Sequence, residues 1–221
     1  MTTELSHGEM GANIAAALRD AILAGEYAPG QRIKPGDLAE RYRASRLPVR
    51  DALRMLGAEG LVTTVANTGA WVSTLSLEDL NELYLVREHL EPLLLRMNVP
   101  LLSDAEIDGL EFLVDAMELS DDVERFLRLD REFHLSALQH ARTSMLEETV
   151  RGLWNRTQHY RREATRQFFA EHDRSVHHDH HLIVNALRHR DEEEAEQVLR
   201  RHIRRSRLEL QRHPDVFAGE R

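Results

Sequence analysis

Ser45-Arg46-Leu47-Pro48-Val49-Arg50-Asp51-Ala52-Leu53 is the stretch that decides the fold. Ser45 suits a helix N-cap, since its hydroxyl can accept from an otherwise unpaired backbone N–H. Pro48 falls in the first turn, where the N–H it lacks does little harm. Val49, Ala52, Leu53 and Leu56 then share one face at helical spacing, running on to Gly60. Arg46 and Arg50 are one turn apart on the opposite face. An apolar back and an arginine-bearing front suit a helix that enters a DNA major groove, where arginines reach guanine edges or phosphates.

Working outward, Ile14, Leu18, Ile22 and Leu23 repeat at helical spacing and stop at Gly25, with Pro29-Gly30 beyond. Leu38 and Tyr42 belong to a short second helix. After Gly60, residues 61–65 and 70–73 read as two short strands around a turn at 66–69. Three helices followed by a β-hairpin is the order of a winged helix-turn-helix, predicted over residues 8–74. Charge agrees with DNA as a partner. The chain carries a net charge of −9, yet residues 32–54 hold seven basic side chains against three acidic ones. Screening confines each phosphate contact to roughly 10 Å, so a local basic patch suffices on an acidic protein.

Here the residues reach a family. The run from Ile22 through Gly25, Pro29-Gly30 and Ile33, then Leu38-Ala-Glu-Arg41, Ser45 to Leu53 and Glu59-Gly-Leu-Val62, resembles the GntR family of bacterial transcription regulators across residues 11–74. The resemblance implies a homodimer on a near-palindromic double-stranded operator, with contacts from Arg46, Arg50 and the wing glycine, Gly69. The expected DNA-facing set is Lys34, Arg43, Ser45, Arg46, Arg50 and Gly69. Two departures stand out. Leu47 replaces a small hydroxylated residue, and Thr68 replaces the basic residue usual beside the wing glycine.

From Ser76 onward the sequence reads as helix throughout, about six helices over residues 76–213. Ser76 caps the first, and Ser103-Asp-Ala-Glu106 is a capping box opening the second. Others are expected around 121–140, 143–169, 173–189 and 191–212. The fold class is therefore mostly α, a winged helix-turn-helix followed by an all-α bundle. With no Cys there is no disulfide and no thiolate metal site. No basic-then-apolar leader and no run near ~18 apolar residues is visible, so a soluble, cytoplasmic protein with no membrane partner is expected.

Within the helical part, Asp130 and His134 are four residues apart and leave one helix face one turn apart. His180 and His202 lie eleven residues either side of Asp191, where a helical hairpin is expected to turn. Residues equidistant from such a turn sit side by side, here ~16 Å from the bend. Three imidazoles and a carboxylate can therefore converge. His180 is preferred over its neighbours in the run 177–181 because it pairs across the hairpin with His202, and the remaining histidines are expected in solvent. Leu83-Tyr-Leu-Val-Arg87, Glu91 and these spacings resemble the FCD effector domain of the FadR subfamily, over residues 76–208. That resemblance implies a divalent ion on Asp130, His134, His180 and His202 at the floor of an effector pocket.

Such a site suits Zn²⁺, Ni²⁺, Co²⁺, Mn²⁺ or Fe²⁺ over Ca²⁺ or Mg²⁺, with Zn²⁺ favoured. A small carboxylate effector would complete the shell, and Arg87 has two readings: its second anchor, or an i,i+4 partner of Glu91. The expectation is a DNA-binding regulator rather than an enzyme. A metal-dependent hydrolase or oxygenase is the alternative, disfavoured because no carboxylate stands beside the histidines as a base; Asp179 faces elsewhere on its helix. A third reading keeps DNA binding and makes the metal purely structural.

Overall fold

The structure, a computed structural model, describes residues 7–65, 68–171 and 174–217. The expected hairpin-turn residues Ala66 and Asn67, and the expected helix start at 173, lie outside the described residues. The described residues up to Leu75 form one compact unit and those from Ser76 onward a second.

In the first unit, α1 (His7–Leu23), α2 (Pro35–Arg41) and α3 (Arg46–Ala58) precede the hairpin β2 (Val62–Val65) and β3 (Gly69–Val72). A two-residue strand β1 (Arg32–Ile33) joins them, so the antiparallel sheet runs β1-β3-β2, with Ile33 opposite Ala70 and Val62 opposite Val72. This third strand was not foreseen, since two residues carry no period. Ile14, Leu18, Leu38, Val49, Leu53 and Leu56 are buried together in the core. Gly60, at φ 72°, adopts the left-handed turn after α3 that a side chain would disfavour. Ser45 holds the N-cap position with extended backbone, yet its hydroxyl makes no capping hydrogen bond and stays exposed. The cap expected there is positional only.

The second unit contains α4 (Leu77–Asn98), α5 (Asp104–Glu118), α6 (Val123–Ser136), α7 (Ser144–Glu171), α8 (Ser175–Arg188) and α9 (Glu192–Arg212). Both serine caps form as capping boxes, with Asp79 and Glu106 as the reciprocal acceptors. The side chains of Asp122 and Asp191 accept from the backbone N–H groups of Arg125 and Glu194 at the starts of α6 and α9. Between α8 and α9, Arg190 turns the chain at φ 57°. Its guanidinium donates to the carbonyls of Val99 (3.1 Å) and Leu102 and to the Asp104 carboxylate (2.6 Å). Helix α9 runs against α4, tied by Arg207 to Glu88 at 2.5 Å and Arg96 to Glu196 at 3.1 Å. Leu94, Ile107, Val114, Phe133, Trp154 and Leu187 are buried in this unit. Among the described residues no helix is long and apolar enough to cross a membrane.

Candidate functional site

In the first unit, Lys34, Arg43, Ser45, Arg46 and Arg50 are all exposed, and none of the four cations makes an ion pair among the described residues. Burying Pro48, Val49, Ala52, Leu53 and Leu56 turns the opposite face of α3, with Arg46 and Arg50, to solvent. Leu47 is half exposed on that helix, at 49%. Gly69 sits at φ 146°, and a Cβ there would lie 3.3 Å from the Arg32 guanidinium and 3.4 Å from the Trp71 ring. Arg32 donates to the Thr68 carbonyl at 2.9 Å and stands over the Trp71 ring. A cation thus reaches the wing from β1, although Thr68 itself is uncharged. The sequence hid this because the two residues are joined only by strand pairing.

In the second unit, Asp130, His134, His180 and His202 are all buried, and a ligating atom from each lies within 4.8 Å of the others. One turn of α6 carries the first two, while α8 and α9 bring His180 and His202 together, ring centroids 4.8 Å apart. His134 Nε2 is 3.3 Å from His180 Nε2, and Asp130 Oδ1 is 3.3 Å from His180 Nε2. The other carboxylate oxygen, Oδ2, is held by the Arg161 guanidinium, which lies 4.0 Å from the Trp154 ring centroid. Each oxygen of Asp130 therefore has its own role, one facing the imidazoles and one facing Arg161.

Electrostatics agree with a donor set ready for a cation. Burial pushes the Asp130 carboxyl up, but Arg161 and the imidazoles outweigh it and hold the group well below the usual range. Burial pushes His134 well below its ordinary value, and His180 down to about 4. Both rings are neutral at pH 7, the form that binds metal. These residues fit a divalent ion: one anionic oxygen and three imidazoles, all shielded from water.

Asp179 corrects an expectation. His202 approaches it from α9, so Asp179 Oδ2 lies 3.4 Å from His202 Nδ1. Arg205 in turn holds Asp179 at 2.9 Å. A carboxylate beside a ligating imidazole fixes its tautomer and leaves the other nitrogen for the ion. His177 is a second correction. Rather than lying in solvent it is buried edge-on to Phe126, with ring centroids 5.7 Å apart. His178 is exposed, and His181 pairs outward with Glu118 at 2.8 Å.

Arg87 is buried, donating to Glu91 at 2.5 Å and to Thr157 at 3.2 Å, with the Tyr84 and Trp154 rings each 4.7 Å away. The i,i+4 pair with Glu91 is present. A cavity of about 210 Å³ opens beside the cluster, lined by Asp130, Arg161, Asp179 and His202 and, on its apolar side, by Phe126 and Phe168. Arg161 and Arg205 escaped sequence reasoning, and Asp179 was set aside by it. Only Asp179 carried a signal, its place inside the histidine run; Arg161 meets Asp130 across 31 residues without any local pattern.

Comparison with known proteins accords with this architecture. Residues 11–72 match the family described as bacterial regulatory proteins, gntR family, and residues 82–205 match the FCD domain. The chain is 32% identical to the Nta operon transcriptional regulator of Aminobacter aminovorans, over 81% of this chain and 84% of that protein. It is also 32% identical to the HTH-type transcriptional regulator BphR of Paraburkholderia xenovorans, over 86% of this chain and 80% of that one. The solved structure of E. coli McbR/YncC shares the fold with a TM-score of 0.79 at 21% identity, covering 92% of this chain and 98% of that one. These families and relatives are regulators of transcription, not enzymes. The chain belongs to the GntR family of DNA-binding transcriptional regulators, with an FCD domain following its winged helix.

Proposed function

We propose that this regulator binds its operator as a homodimer and that a small carboxylate, bound beside a divalent transition metal in the FCD domain, modulates that binding. The observation that carries the reading is the buried Asp130, His134, His180 and His202 cluster in and beside the wall of a cavity. Imidazole-rich, thiolate-free donors favour Zn²⁺ among the divalent ions, with Ni²⁺, Co²⁺, Mn²⁺ and Fe²⁺ as competitors. When bound, the ion supplies a positive centre toward which an effector carboxylate is drawn. The chain's own residues prepare that centre. Arg161 orients Asp130, Asp179 orients His202, and burial keeps His134 and His180 neutral.

On the DNA side, Arg46 and Arg50 contact base edges or phosphates from α3. Lys34, Arg43 and Ser45 flank them, and Gly69 lets the wing approach the backbone, with Arg32 supplying the cation that Thr68 does not. Two winged helices of a dimer address half-sites about one helical turn apart.

The test is a gel-shift titration of the full chain on an operator selected from random duplexes. It is run in Zn²⁺, then in EDTA, then in Zn²⁺ with a panel of carboxylates. Arg46→Ala or Arg50→Ala should weaken binding at least tenfold, in line with ~1–3 kcal/mol for a bidentate base contact. The carboxylate response should vanish in EDTA while DNA binding persists. DNA binding that is indifferent to every carboxylate, with metal retained, would leave the ion a structural role and overturn the sensing arm.

A further inference from the structure

Beside the imidazole cluster lies a second, much smaller cavity of about 20 Å³. Its lining includes Tyr84, Arg87, Trp154, Arg161, His134 and His202. Tyr84, Arg161, His202 and Ser206 line both cavities, so the two adjoin. The small one has room for about one water-sized group. Its walls are rich in hydrogen-bond donors. Among the described residues, the Tyr84 hydroxyl and the Trp154 indole N–H are buried and meet no hydrogen-bond partner, although each residue is only 1% exposed. Two orphaned polar groups on residues that line one small cavity are costly, and natural proteins keep few of them without a reason. The larger cavity is different in character. Phe126, Ala164, Phe168 and Val176 give it an apolar wall, and its charged lining is balanced, Asp130, Asp179 and Glu209 against Arg161, Arg205 and Arg212.

We propose that the two cavities form one bipartite effector site, in which the small cavity takes a single carboxylate oxygen on Tyr84 Oη and Trp154 Nε1, and the larger takes an aromatic or branched apolar body. The effector class is therefore the apolar monocarboxylates rather than the di- and tricarboxylates. The reasoning is one of matching groups. A donor-lined pocket sized for one oxygen sits next to the cluster, and the space leading from it offers aromatic carbon with its cations already paired. A second or third carboxylate would meet Phe126 and Phe168, or cations that Asp130, Asp179 and Glu209 already neutralise. Arg87 contributes field rather than a free fork, because Glu91 and Thr157 occupy it. This inference rests on the carboxylate reading above and narrows it.

The experiment is calorimetric titration of the Zn²⁺-loaded full chain with benzoate, phenylacetate and 3-methylbutanoate, against succinate, citrate and the uncharged 2-phenylethanol. At least one apolar monocarboxylate should bind ten or more times tighter than succinate, citrate and the alcohol. Tyr84→Phe and Trp154→Phe should each weaken that ligand three- to tenfold, and Tyr84→Phe should leave Zn²⁺ binding unchanged. Without ligand, Tyr84→Phe should melt at the same temperature as the parent or higher, since it deletes an unpaired buried hydroxyl. A structural role for that hydroxyl would lower it. Tight citrate or succinate with no apolar ligand would overturn this inference and leave the carboxylate reading intact. Equal affinity in both variants would remove the small cavity from the site, leaving it to ordered water. Zn²⁺ bound with no carboxylate of either class would overturn both readings.

Discussion

At the scale of single residues, the four ligating positions should behave as one cluster. Asp130→Ala, His134→Ala, His180→Ala and His202→Ala should each lower metal content, whereas His178→Ala and His181→Ala should not. His178 is exposed and His181 is turned to Glu118, so neither faces the cluster. Elemental analysis of the six purified variants decides the matter; metal kept by His180→Ala but lost by His181→Ala would reverse the assignment. Asp179→Asn should also lower affinity, by ~10–100-fold, because the carboxylate that orients His202 becomes an amide. The four candidate ligands were legible because two spacings, a helical turn and a hairpin's mirror symmetry, are local patterns. Arg161 and Trp154 were not, since they join the site through tertiary packing of α7 against α6 and α4.

At the scale of elements, the turn between α8 and α9 sets whether His180 and His202 come level. Arg190 occupies a left-handed conformation that a glycine would take without strain. Its side chain nonetheless holds the carbonyls of Val99 and Leu102 and the Asp104 carboxylate. Relief of strain in Arg190→Gly is worth about 1 kcal/mol, while the charge-assisted bonds lost are worth ~1.5–3 kcal/mol each when shielded. The variant should therefore be destabilised by about 1–2 kcal/mol, the bonds being partly exposed. Urea denaturation followed by circular dichroism would show a lower midpoint at unchanged slope; a higher midpoint would mean that strain dominates. Helix starts were readable from capping residues such as Ser76 and Ser103, because a cap is a contact between near neighbours. The strand β1 was not, because Arg32 and Ile33 become a strand only by pairing with Trp71 and Ala70.

At the scale of the whole molecule, acid should act first on the helical unit. The folded His134 and His180 titrate below 6.5, His180 near 4, and burial likewise holds His159 at about 4. Between pH 6.5 and 4 the unfolded chain thus binds more protons than the folded one, so stability is full above 6.5 and falls as the pH drops through that window. Melting of the metal-free protein should reflect this from pH 7 to 5, and the loss should be steeper with Zn²⁺ present, as protons compete for the same nitrogens. A melting temperature flat across that range would contradict the buried, neutral state of these rings. The order of the helices and of the hairpin could be read because apolar periodicity recurs along the chain. The depth of the cavity could not, since no single stretch of sequence encloses it. The sharing of the ligating groups among α6, α8 and α9 has a consequence for time. An ion held by groups from three helices must be let go by all of them before it leaves through the cavity beside the cluster, so small separations of those helices should govern its residence. Chelator should then strip the metal-loaded protein at a rate independent of chelator concentration, and the effector proposed above would exchange many times over an ion that stays.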